Sequence, residues 1–419
     1  MAKNKTIVGI DVGTSKVRTI VASVRGKEDA KLKIMGVGES ISFGMRKGVV
    51  VDIEEMTKSI KKSTEQAERV AGIPIEKAYI AIGGNHIKAR PSKGIAAVSR
   101  ADEEVSEDDV LRAINNASAI SLGPNKEVLD IIPREFNLDG QEGIQDPRGM
   151  NGVRLEVDTL IIEGQVQYLK NLRKCFALNR TEIEGMTLNI LAASDAVLSK
   201  KQKELGVMVL DFGAGTVAMS VYEEGKLLDI YILPVGSAHI TNDIAIGLRT
   251  SVEVAERVKL VYGSCLPDEI NKKDTIDLSK IDNIDNNEEG IANRKELAKI
   301  IEARIDEIFI LINKELRRIN RERLLPAGVV LVGGGSKIPG IIDLAKNRLK
   351  LNVQIGYPQE IGGLNDKVDD PTYATVAGLI FRAMELSEGD RDRRMFLSGT
   401  TSARGIFGKI KKIFRIFLP

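Results

Sequence analysis

Two segments of this chain combine residue types that can hold phosphate. Residues 7–16 read I-V-G-I-D-V-G-T-S-K, and residues 207–216 read V-M-V-L-D-F-G-A-G-T. In each, an apolar run long enough for a buried strand closes on an aspartate, Asp11 or Asp211, and glycines follow that let the backbone turn with its N–H groups free. Asp-x-Gly alone is a common turn after any strand. Its return at matching positions in two stretches of the chain points to two similar α/β halves, each lending one loop to a shared cleft. A third segment, residues 328–336, runs G-V-V-L-V-G-G-G-S. Gly333, Gly334 and Gly335 present backbone without Cβ atoms, a surface on which a flat base or a ribose can lie.

Together these segments resemble the phosphate 1, phosphate 2 and adenosine motifs of the actin, Hsp70 and sugar-kinase superfamily, and within it the FtsA family. The resemblance extends through P-V-G-S-A-H-I-T-N-D-I-A at residues 234–245 and A-E-R-V-K at residues 255–259. It covers essentially the whole chain. It implies an α/β, actin-like two-lobed ATPase fold with an inserted small α/β subdomain in the first lobe.

The nucleotide implied is ATP with Mg²⁺. Asp11 and Asp211 would hold a hydrated Mg²⁺ across the cleft, because that ion keeps several waters and takes few protein carboxylates. Gly13, Thr14, Ser15, Gly213, Gly215 and Thr216 would donate to phosphate oxygens, with Lys16 adding positive charge. Gly333, Gly334, Gly335 and Ser336 would carry the adenosine, and Gly236, Glu256 and Lys259 are the further contacts implied. Glu256 and Lys259 stand at i, i+3 on one helix face, a spacing that equally suits a plain helix ion pair. No residue reads clearly as catalytic. The crossing segment, L-N-I-L-A-A-S at residues 188–194, lacks the Gln or Glu that orients water in many actin-like ATPases, which leaves Asp11, Asp211 and Ser194 as weak candidates and implies slow or negligible turnover.

The C-terminus makes a separate statement. In G-I-F-G-K-I-K-K-I-F-R-I-F-L, residues 405–418, the apolar Ile406, Phe407, Ile410, Ile413, Phe414, Phe417 and Leu418 form one helical stripe. Lys409, Lys411, Lys412 and Arg415 lie on the remaining surface, and no acid is present. Such a helix spans only about 20 Å, short of the roughly 30 Å hydrocarbon core. It is expected to lie on an anionic membrane surface as an amphipathic targeting helix, each cation adding roughly 1 kcal/mol. Residues 387–404, mixed in charge and aperiodic, read as a flexible linker reaching on the order of 25 Å.

The elements that must position these residues follow from periodicity. Residues 1–84, with 164–195 and about 370–386, form the first lobe core, and 85–163 the insertion, with short strands and one helix from Glu107 to Ala119. Residues 196–235 with 323–369 form the second lobe core, and 236–322 its outer subdomain. A helix from Ile53 to Ala71 is expected to bury Met56, Ile60, Ala67 and Val70. Another is expected from Arg294 to Arg323.

Composition limits the alternatives. The net charge of +2 and 4% aromatic residues argue against nucleic-acid binding. Two cysteines and two histidines, scattered, support neither a disulfide framework nor a zinc site. The first residues lead straight into a strand with no apolar leader pattern. By resemblance, the protein would self-associate into filaments, tether FtsZ filaments to the cytoplasmic face of the cell membrane at the division site, and recruit later division proteins. A small-molecule kinase or a pilus-assembly platform protein of the same superfamily is the alternative.

Overall fold

In the computed structural model, residues 5–25, 31–119, 123–281, 290–359, 362–363 and 365–396 are described. The expected amphipathic helix at 405–419, and the linker beyond Phe396, lie outside them.

The repeat seen in the sequence becomes a repeat in topology. In the first lobe, strand Lys5–Val12 pairs antiparallel with Lys16–Arg25, which pairs antiparallel with Lys31–Ile41. On its other side Lys5–Val12 runs parallel to Lys77–Ile82, which runs parallel to Glu182–Leu188. The second lobe repeats this plan. Val207–Phe212 continues antiparallel into Val217–Glu223 and Lys226–Leu233, and runs parallel to Val329–Val332, followed by Val353–Ile355. The first-lobe sheet gains one further edge strand, Gly362–Gly363. In both central strands the apolar residues are buried up to the aspartate, as expected of strands covered on both faces.

Helix Ile53–Ala71 packs on the first sheet, opened by Asp52, whose carboxylate accepts from the Glu54 and Glu55 N–H groups, and closed by Gly72 in the left-handed region. Met56, Ile60 and Ala67 are buried as expected, but Val70 is 48% exposed. Ser59, Ser63 and Thr64 take the remaining core positions, and at Ser63 the helix lies so close to the strand that a Cβ on Gly38 would meet its carbonyl.

The insertion has its own sheet, ordered Lys88–Ala97, Arg154–Gln165, Lys126–Leu138 and Gln141–Ile144, with helix Glu107–Ser118 on one face. Val110, Ile114, Phe136, Leu155 and Val157 form its separate core. The polar stretch after Asp268 folds into a small hairpin of Thr275–Asp277 and Ile291–Asn293. The long helix ends at Arg318, short of the expected Arg323, with Asn320 turning into the left-handed region.

Helix Asn189–Val197 carries the chain from one lobe to the other. The last helix, Ala374–Phe396, returns to the first lobe, where Val376, Ala377, Ile380 and Ala383 pack on Ile7, Ile20 and Ile34. It also corrects the linker expectation, since residues 387–396 continue the helix. Arginine favours helix, and extending a helix already nucleated on a core costs little.

Candidate functional site

The two aspartate loops have the same local construction. Gly13 N–H donates to the Lys16 carbonyl at 3.0 Å, and Gly213 N–H donates to the Thr216 carbonyl at 3.0 Å. Each glycine is required by that turn: a Cβ would stand 2.8 Å from the Lys16 oxygen in one loop and 2.9 Å from the Thr216 oxygen in the other. The loops also meet. A Cβ on the buried Gly215 would lie 2.6 Å from Thr14 Oγ1 and 3.0 Å from Lys47 Cα.

The glycine-rich loop closes the third side. Gly333, at φ 82°, lies so near the second-lobe aspartate that a Cβ there would stand 2.4 Å from Asp211 Oδ1. Gly335 is equally constrained by the Phe212 ring, whereas the exposed Gly334 has open space before it. That bare backbone suits a flat ligand. Ser336 does not face it, for its hydroxyl donates back to the Gly333 carbonyl at 2.7 Å.

Burial pushes the Asp11 carboxyl up to about 6, partly offset by Arg18. Burial and then the Asp11 charge push Asp211 up to about 7, again partly offset by Arg18. The two carboxylates therefore repel one another in a site poor in countercharge. A divalent cation would relieve this, and two carboxylates with waters match Mg²⁺. Among the described residues no group of three His, Cys, Asp or Glu side chains could cage a metal directly.

The crossing helix adds a residue that the sequence reading passed over. Asn189 Nδ2 donates to Asp211 Oδ2 at 3.4 Å, and its Oδ1 accepts from the Ile190 N–H at 2.9 Å. The available signal was a lone amide opening an apolar segment. Ser194, by contrast, is fully buried, donates to the Ile190 carbonyl at 2.7 Å and bonds Ser220 Oγ at 2.9 Å. Its hydroxyl is bound within the packing of the crossing helix on strand Val217–Glu223, which argues against a catalytic role for it.

Other expected residues divide. Lys16 is paired with Glu39, which also accepts from Arg18 at 3.0 Å, because the strand after the turn places all three on neighbouring strands. Ser15 is exposed, and its carbonyl accepts from the Ser42 N–H at 2.9 Å. Gly236 lies against the second aspartate loop, where Ser237 N–H donates to the Gly213 carbonyl at 2.9 Å. Glu256 and Lys259 are ion-paired at 2.6 Å. Lys259 is buried and also donates to Thr241 Oγ1 at 2.7 Å, so it joins helix Val252–Tyr262 to helix Ser237–Leu248.

A family model described as cell division protein FtsA matches residues 208–378, and one described as the SHS2 domain inserted in FTSA matches residues 84–163. The chain is 36% identical over 381 residues to cell division protein FtsA of Pseudomonas aeruginosa, covering 91% of this chain and 90% of that protein. The chain belongs to the FtsA family of cell division proteins. Neither the kinase nor the pilus-platform alternative is favoured beside that FtsA match.

Solved structures agree on the fold of this FtsA-family chain. It superposes on a chain of the PilM-PilN type IV pilus biogenesis complex with a TM-score of 0.65 at 16% identity, over 90% of this chain and 98% of that one. MreB5 of Spiroplasma citri bound to ADP gives 0.53 at 12% identity, over 93% and 99%. The fold is thus the actin-like one, carrying the insertion characteristic of FtsA.

Proposed function

We propose that this FtsA-family protein binds ATP with Mg²⁺ between its lobes, polymerises, and tethers FtsZ filaments to the inner face of the cell membrane, where later division proteins join it. The observation that carries the nucleotide reading is the contact of the two aspartate loops at Thr14 and Gly215, with the open backbone of Gly334 beside them. The Gly13 and Gly213 N–H groups, expected as phosphate donors, close the turns instead, so other backbone N–H groups of the loops and the Thr14 and Thr216 hydroxyls would bind phosphate. Asp11 and Asp211 would hold Mg²⁺ through its waters, and that ion would neutralise phosphate charge. Helix Ser237–Leu248, its N-terminus against the Gly213 loop, adds a favourable dipole for anions.

Hydrolysis is proposed to be slow. Asn189 is the polar group of the crossing segment nearest Asp211, yet its oxygen already accepts from Ile190 N–H, and an amide is no general base. ATP then serves chiefly as a structural ligand that holds the lobes together for assembly. MreB5, similar in fold, is described bound to ADP. Among the described residues no helix is long and apolar enough to cross a membrane; what supports attachment through residues 405–418 is their basic, amphipathic pattern. FtsZ is proposed to meet the outer subdomain at 236–322.

The test is equilibrium binding of ATP and ADP in Mg²⁺ to the full chain and to Gly215→Val. The native chain is expected to bind both, and the variant neither, since its side chain would fill the gap between Thr14 and Lys47. Equal binding by the two proteins would place the nucleotide elsewhere.

A further inference from the structure

The expected cation of the phosphate site, Lys16, is engaged with Glu39, which leaves the two loops without a basic side chain of their own. The structure brings another one in. Between strand Lys31–Ile41 and helix Ile53–Ala71 the chain forms a tight hairpin, Met45–Arg46 paired with Val49–Val50. Its two turn residues, Lys47 and Gly48, have φ of 50° and 76°. Asparagine and glycine adopt this conformation at less cost than lysine does. A lysine at such a position points to a use for its side chain.

The hairpin is held against both lobes. Gly48 N–H donates to Thr14 Oγ1 at 3.1 Å, which ties it to the first loop. Lys47 Cα lies 3.0 Å from where a Cβ on Gly215 would sit, so the same turn touches the second. Gly48 also packs on Gly84, where a Cβ would stand 2.5 Å from the Gly84 Cα. The turn cannot withdraw from the cleft without breaking these contacts. Lys47 is half-buried, and among the described residues no carboxylate lies within ion-pairing distance of its ammonium. Its charge reaches His239, the ring that accepts from Gly236 N–H beside the second loop at 3.1 Å. Burial first, with that charge and Arg304 adding to it, holds His239 below its ordinary pKa.

We propose that Lys47 is the cation that contacts the terminal phosphate of bound ATP, and that through it closure of the two lobes depends on that phosphate. This rests on the nucleotide reading above. The residue comes from the first lobe and its backbone touches the second, so its side chain starts from the seam between the two loops where an anion would lie. Loss of the terminal phosphate would leave a half-buried ammonium unpaired, which favours opening.

The experiment measures ATP and ADP affinity in Mg²⁺ for the full chain, Lys47→Asn, Lys47→Arg and Arg46→Gln. Asparagine suits the left-handed turn, so the hairpin is kept while the charge is removed. Lys47→Asn is expected to weaken ATP by about tenfold or more and ADP by less than about twofold, consistent with loss of one charge-assisted contact. Lys47→Arg should restore most of the ATP preference, and Arg46→Gln should leave both affinities unchanged. An unchanged ATP to ADP ratio in Lys47→Asn, or an equal loss of both, overturns the assignment while leaving the nucleotide reading intact. A native chain that binds neither nucleotide overturns both.

Discussion

Asn189 Nδ2 stands 3.4 Å from Asp211 Oδ2, so the crossing helix touches the second-lobe aspartate through an amide. The contact stabilises the ionised form of Asp211 and offers no base to a water. Asn189→Ala is therefore expected to change ATP turnover by less than about threefold, whereas removing a true general base costs about a hundredfold or more. It should also raise the proton affinity of Asp211 and weaken Mg²⁺-dependent nucleotide binding a few fold. Steady-state phosphate release and binding titrations across pH 6 to 8 decide the matter. A drop in turnover near a hundredfold would make Asn189 part of the chemistry.

The raised values of Asp11 and Asp211 set the pH dependence of the ligand-free protein. Both carboxyls are pushed up from 3.8, to about 6 and about 7, mainly by burial. Above 3.8 the unfolded chain has released these protons while the folded chain still holds them, so stability falls as pH rises toward about 7. Asp211→Asn removes this penalty. The variant is expected to be more resistant to thermal unfolding than the native chain at pH 8 without ligand, and to lose the stabilisation that Mg²⁺ and ATP confer. If Asp211→Asn lowers the unfolding temperature at pH 8, the carboxylate pair is not repulsive.

What was legible in the sequence was whatever the backbone alone dictates. The aspartates and glycines of the two loops could be read because the tight turns at Gly13 and Gly213 tolerate few other residues. The paired topology of the lobes followed from the same repeat. Side-chain destinations were less legible. Lys16 sits beside the first loop in sequence, but strand pairing carries it to Glu39. Lys47 is remote in sequence from Gly215, and only the packing of a hairpin on the opposite lobe brings them together. Ser194 read as a polar residue near the cleft, though helix geometry turns it to Ser220. Val70 read as core but is exposed, while Ser59 and Ser63, polar in the sequence, are buried where the helix approaches the sheet too closely for larger side chains.

The crossing helix and the last helix meet at a contact that admits no side chain. A Cβ on Gly378 of the last helix would stand 1.7 Å from the Ala192 carbonyl oxygen in the crossing helix. Because both partners are helix backbone, neither can yield locally. Gly378→Ala must push the helices apart, an overpacking cost of about 1 to 3 kcal/mol, in spite of the better helix propensity of alanine. Thermal or denaturant unfolding should show this loss, and a variant as stable as the native chain would mean that the helices are not in backbone contact.

Membrane attachment tests the C-terminal segment by itself. If residues 405–418 adopt the expected helix, Ile406, Phe407, Ile410, Ile413, Phe414, Phe417 and Leu418 would share one stripe beside four cations, and binding should combine apolar insertion with attraction to anionic lipid. The full chain, in Mg²⁺ and ATP, is expected to pellet with anionic liposomes and much less with neutral ones, and raised salt should release a large share of it. A chain truncated after Ser402 should stay in solution with either. Replacing Phe414 and Phe417 by Glu tests the same point without shortening the chain, because it places charge in the apolar stripe and leaves the four cations in place. Salt-resistant pelleting would assign attachment to the apolar stripe alone, and pelleting of the truncated chain would move the membrane contact off this segment.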